Sequence, residues 1–226
     1  MSGSILGNAV KRVEDPRFIK GEGRYLDDFS DEGVLHLVPV RSQVPHGTIE
    51  SIDVDEAKAL PGVVAVFTHE DLDIGVIRPG PYCPPETFRP PLAQGTVRFV
   101  GEVVAVVVAE SEQAGFDAAE LVWADIEPLD TVATIDEALA DEVVLYPEVG
   151  SNVVVDKRRE RNEDLFAEAD VVVSAKFHNQ RLAPVPLETN NARAEFDDDG
   201  NMTLWVGTQD VFGHQPIAKI IGYEDK

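Results

Sequence analysis

Val103-Val104-Ala105-Val106-Val107-Val108-Ala109 is an apolar run uninterrupted by any polar side chain. Such a run has the length of a β-strand and is typical of one that is buried on both faces. Residues 112–123 follow it, with Ala114, Ala118, Leu121 and Val122 at helical spacing. The stretch therefore predicts a buried strand that leads into an amphipathic helix and then into another strand.

A similar order occurs earlier in the chain. Strands are predicted at residues 34–40, 48–54 and 63–67. Between the last two lies a short helix, residues 55–60, whose acidic first turn suits the positive end of the helix dipole and which Pro61-Gly62 ends. We interpret residues 48–67 as one β-α-β unit and the stretch from residue 103 as a second.

Six prolines crowd together between residues 77 and 95. Each proline removes a backbone donor and fixes φ, so neither a helix nor an inner strand can persist there. A long, stiff loop of this kind either covers a neighbouring element or lies in solvent, and the sequence leaves both possibilities open.

The remaining segments are less regular. Residues 1–33 are predicted to form an irregular arm with turns at Asp15-Pro16 and Gly21-Glu22-Gly23. After a helical turn and a connector, the predicted elements are a short helix capped by Asn162, a strand, a hairpin and a closing helix. Their ranges are 136–140 for the turn, 141–152 for the connector, 163–166 for the helix, 171–177 for the strand, 192–196 and 202–206 for the hairpin, and 211–221 for the last helix.

The composition excludes several function classes. The net charge of −23 over 226 residues disfavours nucleic acid and anionic membranes as partners. Cys83 is the lone cysteine, so the chain has no internal disulfide and no cysteine-rich zinc or iron–sulfur site. No apolar run is long enough to cross a bilayer, and we expect a soluble, cytoplasmic protein.

The common catalytic motifs are absent from the sequence. Gly21-Glu22-Gly23 lacks the preceding strand and third glycine of a dinucleotide-binding loop. The histidines are scattered and show no helical metal-ligand spacing, so no metal ligands are predicted. Ser42 lacks the turn that exposes a nucleophilic serine, and the role of Cys83 in the proline-rich loop is open.

Two polar residues near the C-terminus stand out. Glu188 follows an apolar segment that Pro184 and Pro186 stiffen, which could hold its carboxylate rigidly. Gln209 lies just beyond a predicted strand, and its neutral amide can donate to an oxygen without adding charge. Without further context, Gln209 is an ordinary polar residue at a strand end.

Several short motifs occur in a distinctive order. They are Gly21-Glu22-Gly23-Arg24-Tyr25, Val40-Arg41-Ser42, Pro45-His46-Gly47, Arg98-Phe99-Val100-Gly101-Glu102, Pro186-Leu187-Glu188 and Thr208-Gln209. Together they resemble the start of the large, molybdenum-binding subunit of the xanthine oxidase, aldehyde oxidase and aerobic carbon monoxide dehydrogenase family. The resemblance covers nearly the whole chain.

This resemblance implies an α+β fold. An arm at residues 1–17 would precede an α/β hammerhead domain at residues 18–130. A linker at residues 131–150 would then lead into the first strands and helix of the molybdopterin-binding domain, incomplete, at residues 151–226. By position, Gln209 matches the glutamine that hydrogen-bonds an oxo ligand of the molybdenum. Glu188 matches a recurring acid whose expected role is structural or one step removed from the cofactor.

The resemblance also implies a function that these residues do not complete. Family enzymes hydroxylate aldehydes, N-heterocycles or similar small molecules with oxygen from water, or oxidise carbon monoxide, and pass electrons to iron–sulfur and flavin (FAD) subunits. The family's later pterin contacts, substrate contacts and glutamate base have no counterpart before Lys226. We therefore expect a truncated or split subunit, or a relic.

Such a chain would share a molybdenum–molybdopterin cofactor with the remaining part of the large subunit. It would have no complete catalytic set and would be inactive when isolated. The alternative is a non-catalytic structural or binding module of the same fold. The substrate cannot be read from these residues.

Overall fold

The computed structural model describes residues 6–7, 9–29, 31–157, 163–208 and 217. Its strands are β1 His36–Arg41, β2 Gly47–Asp53, β3 Val63–Thr68, β4 Thr96–Val97, β5 Val103–Ala109, β6 Trp123–Pro128, β7 Ala192–Phe196 and β8 Met202–Val206. Its α-helices are α1 Asp15–Ile19, α2 Asp55–Lys58, α3 Glu112–Leu121 and α4 Ile135–Ala140. Short 3₁₀ turns lie at Leu26–Asp28, His69–Asp71, Pro85–Thr87 and Glu163–Phe166.

The described residues fall into two compact units. One, here called the hairpin unit, comprises the described residues of 1–32 and 176–211. The other, the two-sheet unit, comprises those of 33–175 and 212–226. The described residues among the first 32 therefore belong with the β7–β8 hairpin, although well over a hundred residues separate them in sequence.

The two-sheet unit contains two three-stranded sheets, with strand orders β1-β5-β3 and β4-β2-β6. All their pairings are antiparallel. The β-α-β interpretation was wrong in this respect: β2 and β3 lie in different sheets, as do β5 and β6. A strand-helix-strand pattern fits a crossover within one sheet or between two, and here the chain alternates between sheets. The α+β fold is confirmed.

Strand β5 forms the centre of the core, as its apolar run predicts. Val107 and Ala109 pack with Ala118 of α3 and Ala57 of α2 on one face of the sheet. Val104, on the other face, packs with residues of the second sheet. All five side chains are fully buried, so the continuous apolar run reflects a strand that is covered on both faces.

The proline-rich loop is anchored rather than free. Ile77 and Arg89 form an isolated antiparallel bridge, and Leu92 and Ala93 are buried. The loop has no helix longer than a 3₁₀ turn, as its prolines predict. Its distal part therefore contributes to the core of the two-sheet unit.

The connector after α4 is held by side-chain hydrogen bonds. Asp141, in the left-handed conformation (φ 52°), accepts hydrogen bonds from Asn152 N at 2.7 Å and Ser151 Oγ at 2.7 Å. Asn152 in turn accepts from Leu145 N and donates to Val143 O. The hydrogen bond from Asn152 N, followed by that from Ser151, lowers the pKa of Asp141 below its ordinary value. The connector is therefore a defined structure rather than a loose tether.

Four further predictions need correction or lie outside the described residues. Asp15-Pro16 begins helix α1 instead of a turn, since proline is tolerated in the first helical turn. Residues 171–177 are not a strand: no described strand pairs with them, and Val173 and Phe177 remain exposed. Asn162 lies outside the described residues, as does the helix predicted at 211–221 apart from Ile217.

Candidate functional site

The hairpin unit places Glu188 where its carboxylate contacts two distant parts of the chain. Its Oε1 accepts a hydrogen bond from Leu26 N at 3.2 Å. A Cβ added to Gly207 would lie 3.7 Å from Glu188 Cδ, so the carboxylate packs directly against the backbone that follows β8. Glu188 is half-buried while the apolar residues before it are exposed. Its side chain therefore joins the N-terminal arm to the end of the hairpin.

The hairpin has the register that its sequence predicts. Strands β7 and β8 pair from Ala192 opposite Val206 to Phe196 opposite Met202. At the turn, Asp197 accepts hydrogen bonds from the side chain and backbone of Asn201, and Gly200 adopts φ 79°. The Asn201 side-chain amide, followed by its backbone N–H, lowers the pKa of Asp197. The turn therefore fixes which residues of the two strands face one another.

Arg193 is the centre of a cluster that the sequence analysis missed. Hairpin pairing sets it opposite Trp205, and its guanidinium lies 5.3 Å from the centre of that ring. It also lies 5.9 Å from the ring centre of Phe29 and forms an ion pair with Asp31. These four residues line a small cleft of about 90 Å³. The signal in the sequence was the hairpin register, which places an arginine across from a tryptophan.

Gln209, the predicted cofactor contact, lies outside the described residues. The structure describes the chain up to Thr208, the residue before it. Close by, Asn191 donates to Asp27 Oδ1 at 3.0 Å, but its own Oδ1 is buried and accepts no hydrogen bond. Among the described residues of the hairpin unit, this oxygen is a buried acceptor without a donor, although such groups normally have one.

The described residues contain no group of three or more His, Cys, Asp or Glu side chains that could hold a metal ion. His46 is buried, and its Nδ1 lies 2.6 Å from the carbonyl oxygen of Asp130, which makes it a satisfied core residue. Cys83 is a half-buried free thiol. In the described part of the chain, no helix is long and apolar enough to span a bilayer.

Glu102 is a second feature that the sequence analysis missed. Its side chain is 3% exposed and accepts hydrogen bonds from Arg98 N at 2.6 Å and from Arg89 Nη1 at 3.4 Å. Arg98 donates its Nε to Leu145 O and lies 4.6 Å from the ring centre of Tyr146. One buried carboxylate therefore links the proline-rich loop, the turn before β5 and, through Arg98, the connector.

Comparison with known proteins assigns two family domains. Residues 20–130 match the profile described as the aldehyde oxidase and xanthine dehydrogenase a/b hammerhead domain. Residues 145–225 match the profile described as the molybdopterin cofactor-binding domain. Between them the two profiles cover most of the chain, including the two-sheet core and the hairpin.

Relatives with these domains are similar along nearly the whole chain. The nicotine 6-hydroxylase large subunit of Paenarthrobacter nicotinovorans is 36% identical over 91% of this chain and 26% of its own length. The carbon monoxide dehydrogenase large chain of Afipia carboxidovorans is 35% identical over 88% of this chain and 27% of its own. The crystal structure of quinoline 2-oxidoreductase from Pseudomonas putida 86 superposes with a TM-score of 0.81 at 35% identity, over 95% of this chain and 28% of that one.

These matches settle the family and show how much of it is represented. The chain spans about a quarter of the length of the relatives it matches. Several relatives are named as subunits of larger enzymes, including a complex's subunit gamma. The chain belongs to the xanthine oxidase, aldehyde oxidase and carbon monoxide dehydrogenase family, and corresponds to the N-terminal part of its molybdenum-binding large subunit.

Proposed function

We propose that this chain supplies the hammerhead domain and the beginning of the molybdopterin-binding domain to a molybdenum hydroxylase. The enzyme would oxidise a small molecule such as an aldehyde or an N-heterocycle, with water as the oxygen source. The observation that carries the proposal is the consecutive match to the hammerhead and molybdopterin-binding profiles over residues 20–130 and 145–225.

In this proposal the catalytic site is completed by the remaining part of the large subunit, outside these 226 residues. The segment of the hairpin unit before β7 supports this division, because Phe177, Leu182, Val185 and Leu187 are all at least 79% exposed. Apolar side chains exposed in such number normally mark a surface that another part of a protein covers. We assign the remainder of the molybdopterin-binding domain as that cover.

The described residues fit a cofactor-carried metal better than a metal bound by side chains. They provide no carboxylate, imidazole or thiolate cluster, and a metal held by an organic cofactor requires none. The buried Oδ1 of Asn191 lacks a donor, and a pterin carries N–H donors of the class that could satisfy it. When bound, molybdenum–molybdopterin would supply the two-electron oxidation of the substrate.

The roles proposed for this chain's residues are limited to orientation. Gln209 would donate its side-chain amide towards the molybdenum centre, a neutral interaction that adds no charge. Glu188 would act one step further away: its carboxylate packs against Gly207 and so helps to set the backbone that leads to Gln209. Electrons would leave through an iron–sulfur subunit and an FAD subunit. A lone thiol such as Cys83 suits a reducing compartment such as the cytoplasm.

The test is purification of the native assembly through a tag on this chain. We expect molybdenum in the eluate, together with polypeptide that contains the rest of the large subunit and with iron–sulfur and flavin subunits. Dye reduction would be measured with benzaldehyde, quinoline and carbon monoxide as alternative substrates. Elution of the chain without molybdenum would refute the proposal and favour the non-catalytic binding module.

Site-directed variants test the residue roles in the same assembly. Gln209→Ala should lower the turnover number by about 100-fold, the cost of losing one positioned amide donor. The matched control is Gln113→Ala, which removes an amide that bonds Asp117 on the surface of α3 and should leave turnover unchanged. Equal turnover in both variants would remove Gln209 from the proposed site.

A further inference from the structure

The N-terminal arm and the hairpin meet at Arg193. Its side chain is 22% exposed and forms an ion pair with Asp31, which lies on the arm. Glu195 Oε2 is a second, more distant acceptor at 3.6 Å. The guanidinium also lies close to the rings of Phe29 from the arm and Trp205 from β8. Arg193 thus contacts both the arm and the opposite strand.

A second contact connects the N-terminal arm to the end of the hairpin. Leu26 N, on the arm, donates to Glu188, and the Glu188 carboxylate packs against Gly207. The arm therefore reaches the end of β8 at two points: through Arg193 to Trp205, and through Glu188 to Gly207. Both points lie just before Thr208, the last described residue before Ile217.

We propose that Arg193 is a positioning residue that, together with Asp31 of the arm, sets the course of the chain at the end of β8, from Trp205 to Thr208. This inference rests on the proposed function, since that course leads to the position assigned to the cofactor contact. It gives Leu26, Phe29 and Asp31, which lie near the start of the matched hammerhead segment, a role in the molybdenum site. Arg193 itself acts through Trp205, whose ring its guanidinium faces.

The chemistry of arginine explains why this residue type is needed. A planar guanidinium can stack on an aromatic face while its N–H groups bond a carboxylate at the edge. A lysine ammonium keeps the charge and the pairing with Asp31 but not the flat contact with Trp205. Arg193→Lys therefore separates the stacking from the charge, and Asp31→Asn does the reverse.

The experiment uses the native assembly with three variants: Arg193→Lys, Asp31→Asn and the control Arg12→Gln. Arg12 pairs with Asp15 within the arm and has no described contact with the hairpin. Its loss therefore removes an ion pair of the arm without changing the contacts of Arg193. Molybdenum per chain is measured, and the molybdenum electron paramagnetic resonance spectrum is recorded after reduction with dithionite. Acrylamide quenching of Trp205 is measured on the purified chain in a Trp123→Phe background, which leaves Trp205 as its one tryptophan.

We expect Arg193→Lys to retain molybdenum, to shift the resonance spectrum and to raise the Trp205 quenching constant by about twofold through loss of the stacked guanidinium. Asp31→Asn, whose side chain is more exposed, should shift the spectrum less, and the Arg12→Gln spectrum should match the wild type. A wild-type spectrum in both site variants at full molybdenum content would overturn the inference. So would loss of molybdenum with an unchanged spectrum of the remainder, which marks a folding role alone. Absence of molybdenum from the wild-type assembly would instead refute the proposed function.

Discussion

Replacing Glu102 should reveal how much a single buried carboxylate contributes to the two-sheet unit. Its side chain is 3% exposed, and the short hydrogen bond from Arg98 N, 2.6 Å, is its closest contact. Glu102→Ala removes this acceptor and the partner of Arg89 together. Leaving the Arg98 N–H without its acceptor costs about 1–3 kcal/mol, because that group stays desolvated without a partner.

The other substitutions at this network divide that cost. Glu102→Gln keeps the shape and an acceptor for Arg98 N but loses the charge, so we expect it to cost about 1–2 kcal/mol. Arg89 is 34% exposed and its bond to Glu102 is long, 3.4 Å. Solvent therefore screens the Arg89 interaction, and Arg89→Gln should cost about 1 kcal/mol or less. The backbone N–H of Arg98, rather than the Arg89 side chain, is expected to be the main partner.

The assay is urea denaturation of the purified chain, followed by circular dichroism, with the free energy of unfolding extrapolated to water. The expected order of destabilisation is Glu102→Ala, then Glu102→Gln, then Arg89→Gln. A cost for Arg89→Gln equal to that for Glu102→Ala would refute the reasoning, since the ion pair would then dominate. A cost below about 1 kcal/mol for Glu102→Ala would also refute it, because burial would then carry no penalty.

Three further predictions concern packing, acid sensitivity and the hairpin turn. Gly115→Ala should destabilise the two-sheet unit by about 1–3 kcal/mol in urea denaturation, since the new Cβ would lie 2.6 Å from Val38 Cγ2. The double variant with Val38→Ala should lose less stability than the sum of the two single variants. The folded-state pKa of Asp141 is lowered, so its contribution to stability is present above the ordinary Asp pKa and is lost as the pH falls through the lowered value. Asp141→Asn should therefore reduce the fall in the urea midpoint with decreasing pH below about pH 4. An unchanged dependence of the urea midpoint on pH would contradict this. Gly200→Ala places a side chain on a residue with φ 79° and should destabilise the hairpin by about 1 kcal/mol, measured as faster proteolysis within residues 192–206. The control is Gly80→Ala, at a glycine without a positive φ, which should leave the rate of proteolysis unchanged.

Local patterns were sufficient to predict most elements but not their arrangement. Strand β5 was predictable because burial on both faces requires a continuous apolar run, and the hairpin at 192–206 because its turn contains glycine. The assignment of β2 and β3 to different sheets was not, because a strand-helix-strand pattern is the same for both connections. Residues 171–177 have strand composition, but a strand also needs a partner, which the pattern does not reveal.

The candidate site shows the same limit at the level of side chains. The position of Glu188 after a stiff apolar segment was visible in the sequence, but its hydrogen bond to Leu26 joins residues 162 positions apart. Arg193 could have been paired with Trp205 from the hairpin register, yet its contacts with Phe29 and Asp31 depend on the path of the arm. The roles of Gln209 and Glu188 stay predictions that rest on position.

The long separation between the arm and its partners has a consequence for biosynthesis. A ribosome adds about 5–20 residues each second, so Leu26 waits about 8–32 s before Glu188 is made. Throughout that interval Phe29 and its neighbours have none of their contacts with the hairpin, while the two sheets can already form. Chaperones that hold nascent chains should therefore engage the arm. A bulky fusion at the N-terminus should impair maturation more than one inserted at an exposed loop of the two-sheet unit.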